Sequence, residues 1–311
     1  MEASSEHLVA AKKLWDQSTA DHTKQGYWGA PTSHVNFCEQ DYQITYYIAE
    51  FINTTTSLAY VAYGIHGLRR QKCRDVSLFS TTNLAYWALI GVGIFSSLYH
   101  TTLKYQTQMS DEMSMYGAMG SCLLQVFTFK EPPSVQRRNV AIILGVIIPF
   151  IIYHCLTDEF ILHVILFFTL SITVSRRTRH IIKSEIKDEE QKRKLRFLIK
   201  IASSFGFGSF GIWIVDNLCC PLLTSGKKAV GYPWSVLLEF HGWWHIGTAI
   251  SSYSFMALIE FLTNPEEGKT QALGFAWPAK VVLQDLLSSG AAKPNGHVDP
   301  SMNGKSGRRL N

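Results

Sequence analysis

The chain has 311 residues, of which 47% are hydrophobic and only 17% are charged, and its formal net charge is +5. Most of the basic residues, 22 of 29, lie in four stretches, at residues 69–77, 130–139, 176–197 and 263–311. This clustering, with long apolar runs between the clusters, excludes a disordered chain, a disulfide-dense secreted module and a uniformly basic nucleic-acid-binding protein.

The apolar middle of the chain predicts an all-α integral membrane protein. A membrane-spanning helix needs about 20 mostly apolar residues. Seven stretches fit this requirement: residues 46–68, 78–100, 109–128, 140–156, 160–175, 197–218 and 234–262. The runs AIILGVIIPFIIY and FILHVILFFTL have no polar face that repeats every 3.6 residues, which argues against a soluble helical bundle. The sequence therefore predicts a seven-helix bundle over residues 46–262.

The basic loops predict how this bundle is oriented. The loops after predicted spans one, three and five carry 4, 3 and 9 Lys or Arg residues, whereas those after spans two, four and six carry 1, 0 and 2. Basic loops stay on the cytoplasmic side. We therefore expect residues 1–45 to be lumenal and residues 263–311 to be a cytosolic tail. The tail is rich in Gly, Pro, Asn and Ser, which predicts disorder apart from a short amphipathic turn near Lys280–Leu287.

Histidines at membrane depth give the main chemical signal. His241 and His245 are four residues apart, on one face of the last predicted span, where both imidazoles can reach one cation. His100 ends the second span on the same side of the membrane. Three histidines with an open fourth position are typical of a catalytic zinc site. Alternatives are a hydrogen-bonded pair of core histidines and a bis-histidine haem site, while His154 and His163 are interpreted as structural or supporting residues.

Two further residues accompany the histidines. Ser96 lies one turn before His100 on the same helical face, and Asp111 is expected to open the third span. A carboxylate beside zinc can take a proton from water, and a serine hydroxyl can donate a hydrogen bond to an oxyanion. The structural alternatives are a helix cap for Asp111 or the neighbouring Ser110, and backbone hydrogen bonding for Ser96.

Several motifs resemble those of the alkaline ceramidases, in particular the fungal branch that acts on phytoceramide and dihydroceramide. They are GYWG at residues 26–29, YIAEFINT at 47–54, GIFSSLYHTTLKY at 93–105, QMSDE at 108–112, WIVDN at 213–217 and EFHGWWH at 239–245. The resemblance implies a seven-helix intramembrane zinc amidase that cleaves ceramides from the bilayer into a sphingoid base and a fatty acid. It implies zinc ligation by His100, His241 and His245, oxyanion stabilisation by Ser96 and assistance to the attacking water by Asp111.

The resemblance also implies a calcium site in the N-terminal segment, from Asn36, Phe37, Glu39, Asp41 and Glu50. Carboxylate and carbonyl oxygens are the ligands that Ca²⁺ prefers. The pattern departs from the family because Asn36 stands where an acid is common, Phe37 where Trp is common and Asp41 where Asn is common. A solvated acidic loop is the alternative.

The sequence also leads to expectations about a disulfide bond and about the cellular location. Cys38, Cys219 and Cys220 all fall on the oxidising side, and a Cys38–Cys220 bridge is one hypothesis from position. The resemblance implies that same pairing, and it implies a location in the endoplasmic reticulum or Golgi. No nucleic-acid or obligate protein partner is expected. Two other functions remain open: a lipid-sensing receptor of the adiponectin-receptor kind, and a transporter or structural membrane protein with a non-catalytic metal.

Overall fold

The protein is all-helical, as expected. The computed structural model describes residues 24–72, 77, 80–157, 160–264 and 274–291. The helices in these ranges are α1 (Phe51–Lys72), α2 (Thr81–Thr102), α3 (Tyr105–Thr128), α4 (Pro133–Thr157), α5 (Phe160–Glu185), α6 (Glu189–Leu218), α7 (Cys220–Val230), α8 (Phe240–Thr263) and α9 (Ala279–Ala291). A single isolated β-bridge joins Thr45 and Ile48, and the described residues contain no strand.

Within these ranges, α1 to α6 and α8 are each 22–30 residues long, enough to cross a hydrocarbon core of about 30 Å. Four of them, α4, α5, α6 and α8, are also apolar enough to cross a membrane. The other three, α1 to α3, are less apolar, and Ser96, His100 and Asp111 are among their polar residues. On α4, large apolar side chains such as Ile142, Ile148 and Ile152 are exposed, a pattern suited to lipid rather than water. The chain is therefore a helical membrane protein.

The start of α3 differs from the expectation. Leu103 has a left-handed backbone conformation, with φ of 49°, which ends α2, and α3 begins two residues later with Lys104 as its N-cap. Asp111 was expected to open the third span, but it lies in the second turn of α3. A helix-capping role for Asp111 or Ser110 is therefore wrong. The Ser110 hydroxyl instead donates to the carbonyl oxygen of Gln106.

Close packing of α1 against α2 sets the geometry of the site. A Cβ atom added to Gly93 would lie 2.6 Å from the Val61 side chain and 2.9 Å from the carbonyl oxygen of Ser57. Only glycine allows the two backbones to come so close. The contact brings the Ser57 and Ser96 hydroxyl oxygens within 3.0 Å of each other. On its other side, α1 packs against α8, which in turn packs along α6.

The C-terminal region contains more structure than the predicted turn. Residues 279–291 form α9, and Phe275, Ala279, Val282 and Leu283 are buried in the main core. The domain division expected at residue 262 leaves this packed segment out. The low-complexity composition of the last residues obscured it, because apolar positions in a single short helix give a weak periodic signal. The remainder of the predicted tail, residues 292–311, lies outside the described residues.

Candidate metal centre

Three buried histidines converge at one end of the bundle, which we call the metal end: the end where α1 and α8 begin and α2 finishes. His100, His241 and His245 each offer a ring nitrogen, and these nitrogens lie within 4.8 Å of one another. All three side chains are buried. The structure thus brings together the three residues that the sequence predicts.

Neighbouring side chains fix the orientation of two of these imidazoles. His100 Nδ1 donates to Glu50 Oε2 at 2.5 Å, and the buried His100 Nε2 has no hydrogen-bond partner within the described residues. His245 Nδ1 lies 3.1 Å from the Thr56 hydroxyl and 3.2 Å from the Ser57 hydroxyl. Hydrogen bonds of this kind hold a metal-ligating imidazole in one tautomer and one rotation.

The donor set fits a zinc ion. A buried ring nitrogen without a hydrogen bond costs free energy unless something else binds it. Three neutral imidazoles, whose ring nitrogens lie within 4.8 Å of one another, are a ligand set that suits a catalytic zinc with an open position. The described residues therefore offer three ligands for one cation at this point.

Ser96 and Asp111 lie beside the histidines. Both line the same cavity as His241 and His245, and Asp111 is within side-chain hydrogen-bonding reach of Ser96. Ser96 is buried and also contacts Ser57, a residue that the sequence analysis did not single out. The serine hydroxyl is therefore held between α1 and α3, so it is not limited to bonding with its own helix.

The N-terminal segment covers the metal end. The Phe37 ring stacks on the His241 ring, with centroids 3.5 Å apart. The Phe37 backbone N–H donates to Glu50 Oε1, and Glu50 Oε2 accepts from His100. A single carboxylate thus connects the predicted calcium segment to a predicted zinc ligand.

Four of the five predicted calcium residues are buried and Asn36 is half-buried, but they do not form one compact group of carboxylates. Both oxygens of Glu39 accept backbone N–H groups at the start of α1, from Ile52 at 2.6 Å and Asn53 at 2.8 Å. Burial, followed by the nearby charges of Glu50 and Glu239, raises the pKa of Glu39 well above its usual range. Asn36 Oδ1 is buried without a hydrogen-bond partner among the described residues. Among the described residues, Glu39, Asp41 and Glu50 do not belong to any compact group of three metal-binding side chains.

The Cys38–Cys220 disulfide is present, with a Cα–Cα distance of 5.3 Å. It joins the N-terminal segment to the start of α7, as the resemblance implies. Asp216 on α6 reinforces the junction, because its carboxylate accepts from the backbone N–H groups of Cys38 and His241, each at 3.2 Å. Asp216 stood in a quoted motif without a role, and the structure shows that it positions His241.

The metal end opens into a cavity that continues through the bundle. A chamber of about 100 Å³ contains the Ser96 and Asp111 side chains and two of the histidines. A second chamber of about 410 Å³ lies between α2, α3, α5, α6 and α8, and both are lined by Tyr60, Met115, Phe168 and Trp244. Most of the surface of the larger chamber is apolar. The space suits a molecule with a small polar part and long apolar chains.

A second cluster, which we call the Glu112 cluster, consists of Glu112 of α3, His154 of α4 and His163 of α5. Glu112 and His163 line the small chamber. The three potential ligand atoms of the cluster also lie within 4.8 Å of one another. Glu112 Oε2 accepts a hydrogen bond from His154 Nε2 and lies 3.8 Å from His163 Nδ1. The sequence predicts the two histidines as structural or supporting residues and indicates no role for Glu112, which follows Asp111 directly in the chain.

The fold and the site together define a helical membrane protein with a buried three-histidine centre. A family profile described as Ceramidase matches residues 29–286, most of the chain. The chain therefore belongs to the ceramidase family and is a hydrolase.

Named relatives support the same assignment. The mouse protein alkaline ceramidase 3 is 31% identical over 263 residues, covering 82% of this chain and 94% of its own length. Alkaline ceramidase YPC1 of Saccharomyces cerevisiae is 28% identical over 270 residues, covering 82% of this chain and 84% of its own length. Alkaline ceramidase of Arabidopsis thaliana is 25% identical over 250 residues, with coverages of 78% and 88%.

Proposed function

We propose that this protein is a zinc-dependent intramembrane amidase that hydrolyses the N-acyl bond of ceramides, with phytoceramide and dihydroceramide as its substrates. The observation that carries the proposal is the three-histidine centre with Ser96 and Asp111 in one cavity that continues into an apolar chamber. Family membership favours this activity over the receptor alternative, because the named relatives are ceramidases.

The metal would be held by His100, His241 and His245. When bound, zinc supplies a Lewis acid that polarises a carbonyl oxygen and activates a water molecule near neutral pH. Glu50, Thr56 and Ser57 hold two of the imidazoles in the orientation that binding requires. The burial of all three ligands keeps bulk water from competing with the substrate.

Asp111 and Ser96 would act on the reacting groups. The Asp111 carboxylate accepts the proton of the attacking water and then delivers it to the leaving amine, as a general base and then a general acid. The Ser96 hydroxyl donates a hydrogen bond to the carbonyl oxygen as negative charge develops there. Positioning is essential for both roles, and Ser57 contributes to it by its contact with Ser96.

The membrane arrangement follows from the helices and the basic loops. We propose that all seven long helices cross the bilayer of the endoplasmic reticulum or Golgi, with the metal end on the lumenal side and α9 on the cytosolic side. The larger chamber then lies at the depth of the hydrocarbon core. A two-chain lipid can enter from the bilayer and place its amide at the metal end.

A calcium ion is part of the proposal for the N-terminal segment. Asn36, Phe37, Glu39, Asp41 and Glu50 would supply oxygen ligands, including backbone carbonyls. Support comes from the burial of Glu39 close to Glu50 and Glu239, because a cation would offset the repulsion between these carboxylates. A calcium ion there would order Phe37 and Glu50, and through them His241 and His100.

The test is release of sphingoid base from a panel of ceramides, measured by mass spectrometry with detergent-purified protein at mildly alkaline pH in the presence of calcium. Wild type should release base, and His245→Ala should lose both activity and about one equivalent of zinc. His180→Ala is the matched control, because His180 is exposed on α5 and should leave both unchanged. No release of base from any ceramide by zinc-loaded wild type would overturn the proposal and favour the receptor function.

A further inference from the structure

The small chamber has two polar walls, and the proposed reaction uses only one of them. Its titratable residues other than tyrosines are Asp111, Glu112, His163, His241 and His245. Asp111 and the two histidines of α8 belong to the reaction. Glu112 and His163 face the same space from α3 and α5, and nothing in the proposed mechanism requires them.

The Glu112 cluster is held firmly in place. Gln108 Nε2 donates to Glu112 Oε1 at 2.9 Å, and His154 donates to the other oxygen. Tyr116 donates to the His163 carbonyl oxygen at 3.2 Å, and its hydroxyl lies 3.1 Å from His163 Nδ1. The side chains come from three different helices, so the cluster presents a preorganised polar surface to the chamber.

The two clusters differ in how their polar atoms are satisfied. At the metal centre, His100 Nε2 has no hydrogen-bond partner among the described residues, whereas Glu112 has a donor on each oxygen. Both Glu112 oxygens therefore already accept hydrogen bonds within the cluster, without an ion. A carboxylate has about four acceptor positions. Two are used here, and the Glu112 side chain keeps 12% exposure, so it can accept further hydrogen bonds from a molecule in the chamber.

We propose that Glu112 and His163 form the subsite that recognises the hydroxyl groups of the sphingoid base and so determine substrate specificity. This inference rests on the proposed function. In a ceramide, the hydroxyl-bearing carbons adjoin the carbon that carries the amide nitrogen. With the amide at Asp111, these hydroxyls remain within the small chamber, which Glu112 and His163 also line. His154 and Tyr116 position the subsite, because each contacts one of its two members.

Hydroxyl recognition by a buried charged acceptor discriminates strongly. A hydrogen bond to a charged group contributes about 1.5–3 kcal/mol, which is roughly 10- to 150-fold in kcat/KM. A substrate that lacks the hydroxyl does not form this additional hydrogen bond, so its kcat/KM is lower. We therefore expect wild type to prefer dihydroceramide over its 1-deoxy analogue and to distinguish phytoceramide, which has an additional hydroxyl, from dihydroceramide.

The experiment measures kcat/KM for these three substrates, all with the same acyl chain, for wild type, Glu112→Gln and His163→Gln. In both variants, kcat/KM should fall roughly 10- to 100-fold for the hydroxylated substrate that wild type prefers. For the 1-deoxy analogue, kcat/KM should fall less than 3-fold. Tyr116→Phe should show a weaker loss of the same selectivity. Glu131→Gln is the control, since Glu131 pairs with Arg177 outside the chamber and should behave like wild type.

Two results would overturn the proposal. Equal losses on all three substrates would assign Glu112 and His163 a structural role only. A second transition-metal ion per wild-type chain, found by elemental analysis and lost in a His154→Ala, His163→Ala double variant, would make the cluster a metal site.

Binding of the same lipids to zinc-loaded Asp111→Asn separates this inference from the proposed function. One outcome is that wild type hydrolyses none of the lipids, while their binding affinities still differ and Glu112→Gln abolishes that difference. The subsite would then stand, and the amidase proposal would fail. The other outcome is that wild type hydrolyses all three substrates with equal kcat/KM. The amidase proposal would then stand, and the subsite would fail.

Discussion

Each end of the bundle contains a buried polar cluster, and three regions of the chain contribute to both: α1 with the residue before it, α2 and α8. The two clusters differ in whether they contain their own counter-charge. At the metal end, Glu50 before α1, His100 of α2 and the two histidines of α8 surround one point. At the opposite end, which we call the far end, Arg70 of α1 forms a buried ion pair with Glu260 of α8. Tyr86 of α2 donates to the same carboxylate at 2.6 Å.

The far end supplies its own counter-charge, although Arg70 Nε and Nη1 are buried without a hydrogen-bond partner among the described residues. Its cation and anion neutralise each other, and Arg70 also stacks over the Phe275 ring at 3.9 Å, which attaches the segment before α9 to the bundle. The metal end has three ligands of one kind and a ring nitrogen without a partner. The comparison teaches that a buried polar cluster points to a ligand when its members are metal-binding groups of one kind with no counter-charge among them. Burial alone does not distinguish the two ends.

The largest expected effect is at the metal end. Asp111→Asn should lower the rate of ceramide hydrolysis by roughly 10²- to 10⁴-fold, because the amide side chain cannot accept the proton of water. Zinc content, measured by elemental analysis, should stay at the wild-type level. Asp188→Asn, which changes only the N-cap of α6, is the control for loss of a carboxylate. Near-normal turnover by Asp111→Asn would mean that another group serves as the base.

At the far end, Glu260→Ala should cost about 3–5 kcal/mol of stability, because it leaves the Arg70 charge buried without its partner. The measurement is thermal denaturation in detergent, with activity per folded molecule expected within about threefold of wild type. Glu185→Ala, which breaks an exposed pair with Lys130, should cost at most about 1 kcal/mol. Loss of activity without loss of stability would show that the far end takes part in the reaction.

Glu50→Gln tests the link between the N-terminal segment and the metal. We expect zinc affinity to fall roughly 10- to 100-fold, because the hydrogen bond to His100 Nδ1 would lose its charge. Competition with a chelator of known affinity measures the change. Gln43→Glu, on an exposed part of the same segment, provides the control. Unchanged zinc affinity in Glu50→Gln would restrict Glu50 to a structural or calcium-binding role.

The smallest effect is expected for Tyr63→Phe at the far end. The Tyr63 hydroxyl donates to the carbonyl oxygen of Trp277 at 3.1 Å, near the start of α9. Because the bond is accessible to solvent, its loss should cost about 0.5–1 kcal/mol. Amide hydrogen exchange should be faster in α9 and unchanged in α2. A larger or more widespread change would mean that α9 supports the whole bundle.

The metal centre was largely predictable from the sequence, because its signal is local. The spacing of His241 and His245 places them on one face of a helix, and His100 ends an apolar stretch on the same side. The long helices were also predictable, because a long apolar run is likewise a local signal. The residues at which the helices end were not predictable from these runs. Helix α5 continues to Glu185, about ten residues beyond its apolar part, since basic residues are good helix formers.

What the sequence did not reveal depends on neighbours that are distant in the chain. Glu112, His154 and His163 meet only because α3, α4 and α5 pack together, and no spacing rule connects them. Thr56 and Ser57 read as ordinary polar residues in a helix until the contact at Gly93 brings α2 against them. For α9 the sequence predicted a short amphipathic turn near Lys280–Leu287, but not the length of the helix or its packing against the core.

The Cys38–Cys220 disulfide has a topological consequence. Its partners are 182 residues apart in the chain, and six helices, α1 to α6, lie between them. These helices therefore form one covalent ring. A protease that cuts at residues 186–188, between α5 and α6, would yield two fragments that migrate separately only after reduction. During synthesis, the ring can close only once the chain has been made as far as Cys220, so its oxidation marks molecules in which all six helices are complete.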